Sequence, residues 1–216
     1  MAIFTDNFTG SNGDLVSARS GWNKYGSGST DVAQVNASNQ VKFAGAFPDD
    51  GAMLGQDPGN VAHFVEARLY ANAISSKVAP LLCVRVIDRT EYVGVFYDDG
   101  SSIWRLHSQG GGGGLDTWAG AAPNGEVYRV EVTSGHVVTV YKDGVSVYSH
   151  DWSGGGFSSA QLTATKVGGY FASFAGALDP VLDDWRSGLI SDLGGGGGGG
   201  SAIGPLMYYQ NLLRRA

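Results

Sequence analysis

Val127-Tyr-Arg-Val-Glu-Val-Thr-Ser-Gly-His-Val-Val-Thr-Val-Tyr-Lys142 is the stretch that decides the fold. Tyr128, Val130 and Val132 alternate with Arg129, Glu131 and Thr133, the period of a strand with one buried face. After the Ser134-Gly135 turn, a second run of the same kind begins at Val137 and ends at Lys142. Two such runs joined by a tight turn predict an antiparallel hairpin. Asp143-Gly144 then supplies residues that accept positive φ, and the chain enters a third run, Val145 to Ser149.

The pattern continues toward both ends. Gln40 to Phe43 is a short strand, and Ala62 to Tyr70 alternates with one slip in phase. Leu81 to Ile87 is apolar except at Arg85, as for a central strand covered on both faces. The Asp88-Arg-Thr90 turn leads to Glu91 to Tyr97, and Asp98-Asp-Gly100 leads to Ser102 to His107. Lys166 to Phe174 and Pro180 to Ser187 close the body. Short strands bounded by turn residues, with no helical period before residue 200, predict an all-β fold: an antiparallel jelly-roll β-sandwich over 1–190. The glycine run Gly110 to Gly114 is expected to be a mobile surface loop.

Composition narrows the function classes. The net charge of −6 lacks the cationic excess that phosphate binding needs, so no nucleic-acid partner is expected. No window offers the ~20 apolar residues that cross a bilayer, so no membrane span is expected. Gly occurs 35 times without a collagen period, which fits many turns and loops. Cys83 is the one cysteine, so the fold rests on packing, and its setting in Leu81-Leu-Cys-Val84 reads as a small buried hydrophobe. The opening residues carry no basic n-region followed by an apolar h-region, so no secretory signal is expected.

The tail differs in kind. Gly194 to Gly200 lies within a flexible linker, 191–202, and 203–216 reads as an anchoring peptide. Leu206, Tyr209 and Leu213 share one helical face with Leu212 beside them, while Met207 and Tyr208 add apolar surface. Arg214 sits near a helix C-terminus, where cations are favoured. A helix this short is marginal alone, so it is expected to order only when docked.

Chemistry-bearing residues are sparse. His63, His107, His136 and His150 read as strand-surface or turn residues without metal spacing or a nucleophile partner. Ligand recognition would use aromatic faces and a few polar groups. Tyr92, Tyr97, Trp104, Trp118 and Trp152 are the candidate platforms, with Arg85 and Arg105 as polar partners. Arg85 in a central strand must face solvent or find a partner. Trp22 and Trp185 read as core.

The order of Asp6-Asn-Phe8, Gly13-Asp-Leu15, Trp22, the paired runs Leu82 to Asp88 and Tyr92 to Tyr97, Tyr128 to Val132 with Val138 to Val145, Gly168-Gly-Tyr170 and Leu182-Asp-Asp-Trp185 resembles the concanavalin A-like lectin/glucanase superfamily, especially its laminin-G-like members. The resemblance implies two curved sheets, pairing of the first and last strands, and Phe8 and Trp185 packed inward. Some members bind Ca²⁺; Asp6, Asp14, Asp183 and Asp184 would be the donors here, and no other cofactor is expected. The glucanase branch carries Glu-x-Asp-x-Glu on one strand. This chain lacks that motif, and Asp88 to Glu91 reads as a turn, so the expectation is not an enzyme.

With the tethered tail, the chain looks like a bacteriophage virion accessory protein: a head decoration, fibre or tail-associated lectin-like module, made in the host cytoplasm. Its C-terminal peptide would hold other virion proteins, its sandwich would bind cell-surface glycans, and a homo-oligomer is left open. The alternatives are a glycan-cleaving enzyme on the same fold and a capsid cement without ligand.

Overall fold

The computed structural model describes residues 3–26, 33–43, 51–71, 81–98, 101–110, 115–172 and 180–193. The anchoring residues Leu206 to Arg214, the linker from 194 onward and positions 111–114 of the glycine loop lie outside the described residues. The first strands are β1 (Phe4–Asp6), β2 (Asn23–Lys24), β3 (Ala33–Val35), β4 (Val41–Phe43) and β5 (Gly51–Gln56). Next come β6 (His63–Ala71), β7 (Leu81–Asp88), β8 (Glu91–Asp98), β9 (Ile103–Gln109) and β10 (Leu115–Ala119). The series ends with β11 (Asn124–Val132), β12 (Val137–Lys142), β13 (Val145–Asp151), β14 (Lys166–Ala172) and β15 (Pro180–Leu189).

Among the described residues these strands make two antiparallel sheets. One is eight-stranded, in the order β13-β12-β11-β6-β15-β4-β3, with β1 also on β15. The other is seven-stranded, β10-β9-β8-β7-β14-β5-β2. This is the all-β jelly-roll sandwich the alternation predicts. The turn after β12 takes positive φ at Asp143 and Gly144, as the Asp-Gly pair demands. In the preceding turn the positive φ falls on His136, not on Gly135.

The first and last strands do pair: Asp6 stands opposite Trp185. Phe8, Trp22 and Trp185 are core, with ring centroids 5.7 Å apart for Phe8–Trp22 and 4.9 Å for Trp22–Trp185. Asp6 fixes this corner by accepting from Arg19 Nε at 2.7 Å, Trp22 Nε1 at 2.8 Å and the Phe8 N–H at 2.8 Å. Burial alone would raise its pKa, but these donors bring it below the usual carboxylate range. Of the other acids considered for calcium, Asp14 accepts from Ser11 N–H beside Arg19, Asp183 Oδ1 accepts from Asp184 N–H, and Asp184 pairs with Arg68 at 3.1 Å.

Among the described residues one short α-helix, α1 (Ser159–Thr163), interrupts the strands, in keeping with a body in which helical signals are almost absent. It is too brief to show a period in sequence. A capping box holds its start, with Ser158 Oγ accepting from Gln161 N–H and Gln161 Oε1 accepting from Ser158 N–H. The fully buried Gln161 also donates through Nε2 to Tyr92 O and Gln109 O, so α1 is stitched to β8 and β9. His63 is likewise not a surface residue: it is fully buried beneath this end of the sandwich.

Candidate functional site

β7 is apolar except at Arg85 and its last residue Asp88, and it is covered on both sides. Leu82 and Val84 enter the core between the sheets, while Cys83 and Val86 join a second apolar cluster with Tyr25, Met53 and Tyr92. Phe96 and Tyr170 pack on that cluster and are half-buried. These residues lie on the outer face of the seven-stranded sheet.

The register explains why aromatic rings gather there. One rung crosses the whole sheet: Asn23, Gly55, Gly168, Cys83, Gly94, His107 and Leu115 stand opposite one another in turn. Three glycines and a cysteine make its middle shallow, and neighbouring side chains lie down into it. A Cβ on Gly94 would stand 3.0 Å from Tyr92 Cε2 and 3.4 Å from Cys83 Sγ, so the glycine is what lets the Tyr92 ring settle. Tyr92 stacks on Tyr170 with centroids 5.6 Å apart and planes 27° from parallel. Lys166 Nζ lies over the Tyr25 ring at 4.9 Å.

Electrostatics keep these groups neutral. Burial pushes the phenols of Tyr25, Tyr92 and Tyr170 upward, and the Cys83 thiol with them. Their O–H groups therefore remain able both to donate and to accept. His107, on the same face, is lowered by burial and then by Arg105. Arg105 stands beside Phe96 in register and grips Asp98 through Nε at 2.8 Å and a terminal nitrogen at 2.5 Å. Flat apolar rings with hydroxyls at their edges can stack on, and hydrogen-bond to, a polyhydroxylated ring.

The structure sorts the residues singled out in the sequence. Tyr92 and Arg105 lie on this face. Tyr97 and Trp104 point the other way into the core, 4% and 2% exposed, with ring centroids 5.4 Å apart. Trp118 is taken up in a seam joining the sheet edges β10 and β13. It stacks on Trp104 at 5.9 Å and on Tyr148 at 4.4 Å, and the Tyr148 hydroxyl donates to Asp116. Trp152 is buried.

Arg85 also leaves the face. A bulge places it at φ +53 and sends its fully buried side chain under α1. There it donates to Leu162 O at 2.8 Å, Ala164 O at 3.3 Å and Thr133 O at 3.0 Å. Burial lowers its pKa to about 10. Two of these partners, Leu162 O and Ala164 O, are carbonyls at the C-terminal end of α1, where a cation is favoured, and the third, Thr133 O, follows β11. Tyr25, Met53, Phe96 and Tyr170 are the members of the outer layer that the sequence reading does not pick. The signal available for them was bulky residues at both strand parities.

No protein-family model matches this chain, and no curated protein sequence matches it. Solved structures do match its fold. A glycosyl hydrolase family protein from Mycobacterium fortuitum is 15% identical, with 85% of this chain and 98% of that one covered and a TM-score of 0.60. An endo-1,3-beta-glucanase from Streptomyces sioyaensis is 13% identical, covering 88% and 96%, with a TM-score of 0.55. The carbohydrate binding module CBM66 from Bacillus subtilis is 12% identical, covering 76% and 91%, with a TM-score of 0.51.

These likenesses show that the chain shares its jelly-roll fold with glycosyl hydrolases and a carbohydrate binding module, and they overturn the expectation of a chain that is not an enzyme. Proteins named as a glycosyl hydrolase family member and an endo-glucanase share the fold nearly end to end. Lack of one branch's Glu-x-Asp-x-Glu spacing does not carry that exclusion, because sites are grafted on folds in more than one way.

Proposed function

We propose that this chain is a carbohydrate-active module that lays a glycan across the outer face of the seven-stranded sheet, over Tyr170 and Phe96, with the buried Tyr92 stacked beneath Tyr170. The stacked Tyr92–Tyr170 pair, set over a glycine rung outside the core, carries the reading. Apolar rings on an outer sheet face gain from a flat apolar partner, and a pyranose ring supplies one with hydroxyls at its rim. The carbohydrate binding module and the glucanase among the matched structures support it. Cleavage of the bound chain is the second reading, favoured by the hydrolase names among those structures.

The spacing of Leu206, Tyr209 and Leu213 supports a further element, a C-terminal segment that fastens the module to a larger partner, a virion surface being one such setting. Loss of that attachment on deletion of 194–216, with the sandwich still folded, is its test.

The main test is retention of the full chain in gels containing polysaccharides, run alongside an assay for released reducing ends. Tyr170→Ala and Phe96→Ala are each expected to weaken retention about tenfold, as for loss of a stacking contact of 1–2 kcal/mol. Unchanged retention in both variants rules out this face. A chain that neither binds nor cleaves any polysaccharide rules out the function.

A further inference from the structure

Charge on the same face is unevenly committed. Its acids are occupied: Asp98 is held by Arg105, Asp88 Oδ1 accepts from Thr90 N–H, Thr90 Oγ and Glu91 N–H, and Asp57 Oδ1 accepts from Gly59 N–H and Thr165 Oγ. Two of its cations are not. Among the described residues neither Lys166 nor Arg89 forms an ion pair with a carboxylate, and both are partly exposed.

Both cations border the aromatic layer at one end. Lys166 pairs with Val86 in register and overhangs Tyr25. Arg89 occupies the β7–β8 turn, which packs on Gly26: a Cβ there would lie 3.1 Å from Asp88 Cβ and 3.7 Å from Arg89 Cγ. Arg89 also acts electrostatically on the Tyr170 phenol from this position. The aromatic layer therefore ends in two positive charges that make no ion pair among the described residues, in a molecule whose net charge is −6.

We infer that the glycan taken by this face is anionic, with Lys166 and Arg89 receiving the carboxylate or sulfate of an acidic sugar whose ring rests on Tyr170. The inference rests on the proposed glycan-binding function and names its substrate class. A neutral chain would leave both cations without a direct ion pair among the described residues, Arg89 feeling only the neighbouring Asp88 across the turn. An acidic one supplies that pair beside a low-dielectric aromatic surface, where each charge-assisted hydrogen bond counts more than in open water.

The experiment compares retention of the full chain by alginate (carboxylated), dextran sulfate (sulfated) and an unsubstituted β-1,3-glucan, at low and high salt. At least one acidic polymer is expected to retain the chain more strongly than the neutral glucan, and salt weakens that retention. Which acidic polymer does so separates carboxylate from sulfate as the recognised group. Lys166→Gln and Arg89→Gln each lower affinity for it about tenfold, the loss of one charge-assisted hydrogen bond, and lower any retention by the neutral glucan by clearly less. Equal or stronger retention by the neutral glucan, with both variants behaving as the parent, overturns the anionic inference and leaves glycan binding standing. Retention by none of a wide polysaccharide panel overturns the proposed function itself, and the inference with it.

Discussion

Glu66 lies opposite Arg186 in the register of β6 and β15, with its Oε1 2.7 Å from the Arg186 guanidinium. Its other neighbour in register, Arg129 on β11, is 3.6 Å from Oε2 and is itself held by Glu131 at 2.7 Å. Tyr141 continues the rung with its ring 4.3 Å beneath the Arg129 guanidinium. The centre of the eight-stranded sheet is thus roofed by charges that cover one another, the Glu66 and Arg129 side chains being each 5% exposed. Glu66→Ala leaves Arg129 short of one counter-charge and Arg186 without its own. It is expected to cost about 3 kcal/mol, read from urea unfolding midpoints. Glu66→Gln, which keeps an acceptor, should cost clearly less; equal losses in the two variants would show that charge is not what matters there.

His63 gives the fold an acid-sensitive joint. Its Nδ1 is 2.7 Å from Asn60 O, so the proton sits on that nitrogen, and Nε2 accepts the Arg85 backbone N–H at 3.2 Å. Burial lowers its pKa to about 4, below the 6.5 of an exposed imidazole. In that interval the unfolded chain binds the extra proton and the folded chain resists it. The stabilising contribution is complete above pH 6.5 and is lost as pH falls toward 4, on the order of 3 kcal/mol in all. Urea unfolding across that range measures it. His63→Gln should flatten the slope, and a variant with the parental slope would assign the acid sensitivity to other groups.

Trp118 closes the open side of the sandwich by lying between Trp104 and Tyr148. Trp118→Ala removes both stacking contacts and is expected to destabilise by about 3 kcal/mol. Polysaccharide retention at a temperature where the variant is folded should match the parent. Lost retention with normal stability would make this tryptophan a ligand contact instead.

Gly94 is held to a hydrogen side chain by Tyr92. The added methyl of Gly94→Ala must push the Tyr92 ring or Cys83 aside. A cost of about 1–2 kcal/mol is expected, with a changed tyrosine signal in near-ultraviolet circular dichroism and weaker glycan retention. Parental spectra and retention would mean that the ring tolerates the methyl where it lies.

Much of this fold is legible in the sequence, and the limits have physical causes. Tyr128, Val130 and Val132 point inward as their spacing requires, because one face of β11 is polar and the other is not. β7 and β8 offer no such contrast. Tyr92, Gly94 and Phe96 take one side of β8 and Val93, Val95 and Tyr97 the other, so bulky residues at both parities hide which face is outside. Tyr97 and Trp104 are consequently read as platforms when they are core, whereas Tyr170 is passed over. β5 escapes notice because Gly-Ala-Met-Leu-Gly-Gln resembles a loop. It is a strand because its small residues allow close approach to β14: a Cβ on Gly55 would sit 2.0 Å from Val167 O. Arg85 breaks the alternation through a bulge, which depends on contacts with Thr133, Leu162 and Ala164 far along the chain.

A strand greased on both sides has no wet surface from which to peel. β7 is therefore expected to hold the amides that exchange slowest with solvent, and the tyrosines packed on it are anchored to that strand. A visitor to this face finds the landing ground already paved and pays little to organise it. Selectivity among visitors then has to come from the rim, where side chains still have freedom, more than from the floor.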